Sequence, residues 1–151
     1  MKKIFLFILS ILLVSNAFAF SIMVETDTIK NPTVPKEILS SFSKAHPNAK
    51  LAYWTKSNNI YIVSYREQSS NLWTTYDSNG QFLENKWKVV LAELPIPTQD
   101  YIKRNSTKAV QEYYKITDSS GVINYEVSSP NKSCVFNSNG EHYKTIELLK
   151  K

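Results

Sequence analysis

Cysteine occurs once, histidine twice and glycine three times in these 151 residues. The single thiol, Cys134, cannot close an intramolecular disulfide and cannot supply the several thiolates of a cysteine-based zinc site. Scattered glycines leave no Gly-x-Ser-x-Gly nucleophile elbow, and no His-Glu-x-x-His segment is present. His46 and His142 stand 96 residues apart, with no partner at ligand spacing, so no metal or cofactor is expected. Excess charge is scarce too. Eighteen Lys and Arg against thirteen Asp and Glu give +5. Lys2 and Lys3 lie in the leader described next, which leaves sixteen against thirteen, or +3, for the rest of the chain. Dispersed charge of that size makes no footprint for a nucleic-acid backbone.

What is present begins with an address. Lys2-Lys3, an apolar run from Ile4 to Val14 interrupted only by Ser10, and Ala17-Phe18-Ala19 form the tripartite pattern of a secretory signal peptide cleaved after Ala19. The apolar run of about 11 residues is short of the roughly 20 that a spanning helix needs, so no membrane span is expected after cleavage. The mature protein is expected to be periplasmic or secreted. Residues 20–33 show no clear periodicity and read as a leading arm, either mobile or adding a short strand.

From residue 34 the chain repeats itself. Val34-Pro35 recurs as Leu94-Pro95, Tyr53-Trp54 as Tyr113-Tyr114, and Tyr76-Asp77-Ser78-Asn79-Gly80 as Phe136-Asn137-Ser138-Asn139-Gly140, each offset by 60. Ile60 to Tyr65 matches Val122 to Val127 at an offset of 62, as an insertion in a loop allows. Each copy opens with a helical pattern. In the first, Ile38, Leu39, Phe42 and Ala45 fall on one face after Pro35, and His46-Pro47 ends the run. In the second, Pro97-Thr98 starts a run with Tyr101 and Ile102 inward, closed by Lys103, Arg104 and Asn105. Four β-like segments follow in each copy: Ala49 to Thr55, Ile60 to Tyr65, Leu72 to Tyr76 and Gln81 to Val90, then Ala109 to Thr117, Val122 to Val127, Ser133 to Asn137 and Glu141 to Leu148. The two Ser-Asn-Gly turns suit a type I turn with glycine in the left-handed region, which places Tyr76 opposite Phe82 and Phe136 opposite His142.

The expected fold is therefore α+β, a tandem repeat of a helix and a four-stranded antiparallel meander. Residues 34–93 form the first copy and 94–151 the second. One such unit buries too little to be stable alone. Two joined edge to edge give an eight-stranded antiparallel sheet with helices on one face and the other face open.

The order Val34-Pro35, a helix ending at His46-Pro47, Trp54, Tyr61-Ile62-Val63-Ser64-Tyr65, Tyr76-Asp77-Ser78-Asn79-Gly80 and Leu94-Pro95 resembles the PepSY-like family of secreted bacterial proteins, over residues 34 to 148. The fold of that family is similar to that of beta-lactamase inhibitor proteins. The resemblance implies a periplasmic, non-enzymatic protein. Tyr114 stands where the first copy has Trp54, and Thr107 where it has Pro47. Inhibitors of this fold carry paired cysteines, which Cys134 alone cannot form, so the resemblance does not carry lactamase inhibition with it.

The remaining candidates are few. Cys134 and His142 are diagonal neighbours on the last hairpin, roughly 7–8 Å apart, too far for a nucleophile and its base. Cys134 reads as a buried structural thiol. His46 reads as a helix-end residue favoured by the dipole there. Tyr76 to Gly80 lacks the alternating ligands of a calcium loop. Aromatic residues are the informative class, at 13% of the chain, because strand alternation cannot bury them all on one side. If Tyr61, Tyr65 and Tyr76 are core, Ile62 and Trp73 face the open side, with Trp54 beside them. Trp73 is replaced by Ser133 in the second copy, an exchange expected at an exposed position, since the lost volume in a core would cost roughly 3–5 kcal/mol. Exposed Trp and Tyr on a sheet face suit protein binding. The expectation is a non-catalytic binding or inhibitory module that contacts another envelope protein through Trp73, Ile62 and Trp54. The alternative is a binder of a small ligand or envelope polymer through aromatic stacking. Mass spectrometry of the exported protein should find the N-terminus at Phe20, whereas an intact Met1 would contradict the leader.

Overall fold

The structure is a computed structural model that describes residues 29–105 and 111–147; the leader lies outside these residues. Strands β1 (Ile29–Lys30), β2 (Lys50–Ser57), β3 (Ile60–Glu67), β4 (Ser70–Asp77), β5 (Phe82–Val89), β6 (Glu112–Asp118), β7 (Ile123–Ser129), β8 (Lys132–Phe136) and β9 (His142–Glu147) form one antiparallel sheet in chain order. Helices α1 (Lys36–Ala45) and α2 (Ile96–Asn105) each precede four of these strands. The described sheet thus has nine strands rather than eight, because the leading arm adds Ile29 and Lys30 opposite Lys56 and Thr55. The order of one helix and four strands occurs over residues 36–89 and again over 96–147. β5 and β6 are hydrogen-bonded neighbours, so both halves share the sheet.

Local chemistry accounts for each element. Pro35 caps α1 in an extended conformation, and its carbonyl accepts from the Leu39 amide. Pro47 forces His46 out of the helical region, at φ −129° and ψ 64°, and the helix stops. Ile38 and Phe42 point at the sheet from successive turns, while Leu39 is 40% exposed and Ala45 is exposed. A short helix lying on a sheet buries one i, i+4 stripe, so the wider face expected from the sequence is not fully used. In α2, Thr98 and Ile102 play the same part.

The turns explain the change of offset between copies. β2 and β3 join through Asn58-Asn59, with Ser57 opposite Ile60 and Asn58 at φ 54°. β6 and β7 join through Asp118 to Gly121, where Asp118 Oδ1 accepts from the amides of Ser120 and Val122. The second copy thereby gains two residues before its second strand. Asp77 and Asn137 hold their turns in the same manner, each accepting two backbone amides. Tyr76 pairs with Phe82 and Phe136 with His142, as the turn chemistry requires.

Two clusters lie under the helices. Tyr61, Val63, Tyr65 and Tyr76 pack against Ile38 and Phe42, and Val127, Cys134 and Phe136 pack with Ile102, Leu94 and Val89. Complete burial of a side chain such as Ile38 or Phe136 stabilises by about 1.5–3 kcal/mol. Within the first cluster a polar chain crosses the core. Thr74 Oγ1 donates to Asn85 Oδ1 at 2.6 Å, the Tyr65 hydroxyl lies 3.2 Å from Thr74 Oγ1, and His46 lies against that hydroxyl and Glu67. Burial pushes the phenols of Tyr65 and Tyr76 up, the latter to about 12, so both remain protonated.

Gly80 and Gly140 both sit at φ +83°, in the left-handed region. Each turn tip rests on the first turn of its helix. A Cβ on Gly80 would lie 3.5 Å from Glu37, an ordinary contact, whereas one on Gly140 would lie 2.7 Å from Pro95 Cβ and 2.9 Å from Thr98 Oγ1. Gly80→Ala should therefore lose about 1–2 kcal/mol from backbone strain alone. Gly140→Ala should lose a further 1–3 kcal/mol, roughly, from overpacking. Urea unfolding of the two variants checks the ranking, and equal losses would contradict it.

Candidate interaction surface

Period-two alternation divides every strand between the helix-covered face and its reverse. The register places Thr55, Ile62, Thr75, Glu84 and Asp118 in one row across the reverse face. The next row is Tyr53, Ser64, Trp73, Lys86, Ile116 and Asn124, and the one after it runs from Lys88 through Tyr114, Glu126 and Val135 to Lys144.

Trp73 and Ile62 thus lie on the open face, both half-buried. Trp54 does not. It pairs with fully buried Val63, meets the Phe42 ring edge-on at 5.5 Å and belongs to the helix-side core. The two-residue Asn58-Asn59 turn fixes that register, and it is the signal in the sequence that assigns Trp54 to its side. Ser133 also departs from expectation. It shares the open face but is only 4% exposed, and its hydroxyl donates to Glu126 at 2.7 Å. Trp73 and Ser133 therefore differ not as two solvated residues but as an aromatic ring and the support of a carboxylate.

At the centre of this face the Trp73 ring stands edge-on to Tyr114, with centroids 5.7 Å apart and planes at 82°, a favourable geometry for aromatic quadrupoles. Lys86 Nζ lies 4.3 Å above the Tyr114 ring and 2.6 Å from Glu126 Oε2, which joins a cation–π contact to an ion pair. The Tyr114 hydroxyl donates to Glu112 at 2.6 Å, and Lys88 donates to the same carboxylate at 2.7 Å. These two hydrogen bonds hold the Glu112 carboxyl below its ordinary range, while burial and the Glu112 bond push the Tyr114 phenol well above its own. The network joins β5, β6, β7 and β8, and sequence reasoning misses it because it depends on which strands become neighbours.

Other candidates separate. Cys134 is buried, and the Thr145 hydroxyl stands between it and His142, 3.8 Å from Sγ and 2.9 Å from Nε2. His142 instead stacks on Tyr101. A pocket at the end of α2, lined by Tyr101, Ile102, Val127, Lys132 and Cys134 among others, lies on the helix side of the sheet. Among the described residues no group of three or more His, Cys, Asp or Glu is placed to hold a metal, and no helix is long and apolar enough to cross a membrane.

Solved structures with this arrangement exist. A DUF2874 family protein of Bacteroides ovatus superposes with a TM-score of 0.62 at 17% identity, covering 77% of this chain and 89% of its own. A BLIP-like protein of Bacteroides fragilis gives 0.60 at 13% identity, over 80% and 90% of the two chains. The fold is BLIP-like. A presumed periplasmic protein of Bacteroides eggerthii shares it, with a TM-score of 0.65 at 13% identity over 77% of this chain and 90% of that one. The sequence matches no family model and no curated protein.

Within this BLIP-like sheet the Glu84 carboxyl is held away from its ordinary titration range. Burial raises its pKa, Lys86 opposes the shift, and Glu126 and Asp118 add to it. A carboxyl that holds its proton more tightly when folded weakens the fold as pH rises from the unfolded to the folded pKa. Glu84→Gln should therefore be more stable than the parent at neutral pH, and the gain should disappear on acidification below the unfolded value of 4.5. Thermal melts across that range test this, and a Gln variant less stable at neutral pH would contradict it.

Proposed function

We propose that the protein is an exported, periplasmic or secreted, non-catalytic binding module of PepSY-like type, made of two copies, residues 34–93 and 94–151, that engages another envelope protein through the open sheet face. The carrying observation is the centre of that face, where Trp73, Tyr114, Lys86 and Glu126 interlock on the side of the sheet away from α1 and α2. Preorganised aromatic and charged side chains of this kind make effective interface anchors, because little freedom is lost when a partner arrives. The leader supports export, and the presumed periplasmic neighbour is of the same fold. Lactamase inhibition is not part of the proposal, since a shared fold carries no target. Trp73 and Ile62 are the anchors of this reading, and Trp54 supports the sheet from behind.

Trp73→Ala should weaken capture of the envelope partner about tenfold, or roughly 1.4 kcal/mol. Loss of the Tyr114 contact should also lower stability by about 0.5–1.5 kcal/mol. Trp54→Ala should do the reverse, costing roughly 3–5 kcal/mol of stability while the folded fraction binds as before. Quantitative pull-down beside denaturant unfolding separates the two effects. Binding unaffected by Trp73→Ala would contradict the proposal.

A further inference from the structure

Charge on the open face is unevenly matched. Glu126 accepts from Lys86 and Ser133, and Glu112 from Lys88 and Tyr114. Glu84 and Asp118 have no cation bound to them in this way. Among the described residues Glu84 has no hydrogen bond or ion pair, and Asp118 Oδ1 serves only the Ser120 and Val122 amides of its own turn. Lys86 acts on Glu84 only through space, with its ammonium committed to Glu126. The two carboxylates stand directly opposite one another on β5 and β6, on the same face. Like charges so placed repel. Their row continues to Thr75 and Ile62, and the adjoining row carries Trp73, Lys86 and Ile116. Ile62, Trp73 and Ile116, with Lys86 between the last two, therefore border a couple of carboxylates that no cation among the described residues contacts.

The isolated fold gains nothing from the negative charge of the couple, since the turn that Asp118 holds through two amides is held equally by an uncharged asparagine at Asn137. Where a structure keeps a locally unfavourable arrangement on a surface otherwise built to bind, function is the usual compensation. Resting on the reading of this face as a protein-binding surface, we propose that its occupant is a polypeptide segment that sets a lysine or arginine between Glu84 and Asp118 and lays an adjacent apolar side chain against Trp73 and Ile116. Arginine suits the place best, since its planar fork can donate to two carboxylates while its stem covers apolar surface. The chain carries a formal +3 outside its leader, so a basic segment is repelled in general and drawn to this strip, which fixes its register.

The test is selection of random short peptides displayed on phage against the full mature chain, followed by affinity measurement of synthetic versions on variants shown by circular dichroism to be folded. Selected peptides should be enriched in arginine or lysine. They should bind the double variant E84Q/D118N at least tenfold more weakly, and lose affinity when their own arginine is replaced by uncharged citrulline. They should also depend on Trp73, tested with Trp73→Ala, or with Ile62→Ser should the first variant unfold. Peptides that depend on Trp73 yet lack basic residues, or that bind E84Q/D118N undiminished, would overturn the inference and leave the binding face standing. Basic peptides indifferent to Trp73 and Ile62 would reveal nonspecific attraction and overturn it as well. A selection that yields no binder dependent on Trp73 or Ile62 would overturn the reading of the face itself.

Discussion

One continuous antiparallel ladder governs this protein. Because β1 to β9 hydrogen-bond in chain order, the side of the sheet that each residue occupies follows from a single alternating count that runs from turn to turn. The β5–β6 pairing is the critical joint. It carries the count from the first helix–meander unit into the second and sets Lys86 beside Ile116 and Glu84 beside Asp118. A shift of one residue there would send Trp87 to the open face and Lys86 into the core side. The bulge between Thr75 and Tyr76 and its counterpart between Val135 and Phe136 adjust the count next to the two glycine turns.

The two faces then meet different physical demands. Under the helices, burial of Ile38, Val63, Tyr76 and Phe136 supplies the driving force, and the polar chain from His46 to Asn85 is tolerated because each buried group has a partner. On the reverse face, away from α1 and α2, long side chains cover one another. Lys86 lies over Tyr114, Tyr114 meets Trp73, and Glu126 draws Lys86 and Ser133 together. This order prearranges the surface, and the unmatched charge of Glu84 and Asp118 makes it directional.

Much of the architecture is legible in the sequence because it is local. Asp77 to Gly80 and Asn137 to Gly140 have turn chemistry that determines which residues oppose one another, so the pairs Tyr76–Phe82 and Phe136–His142 follow from the amino-acid order alone. His46-Pro47 stops a helix by sterics. Trp73 and Ile62 follow from alternation against Tyr76 and Tyr61. Trp54 escapes the same logic because its side depends on the pairing of β2 with β3, a step beyond alternation within one strand. The Lys86, Tyr114 and Glu126 network is invisible for a stronger reason. It joins residues from β5, β6 and β7, and Lys86 and Glu126 lie 40 positions apart, which no local period connects. Ser133 is not the solvated residue that its exchange with Trp73 suggests, because a small polar side chain can be buried when a carboxylate accepts its hydrogen bond.

The central claim is that the face of the sheet away from α1 and α2, and not the helices, meets the partner. In-cell photocrosslinking tests it most directly, with p-benzoylphenylalanine placed at position 73 of the exported protein and, for comparison, at position 39 on the outer side of α1. A discrete adduct is expected from position 73 and none from position 39. Adducts from position 39 with none from position 73 would contradict it.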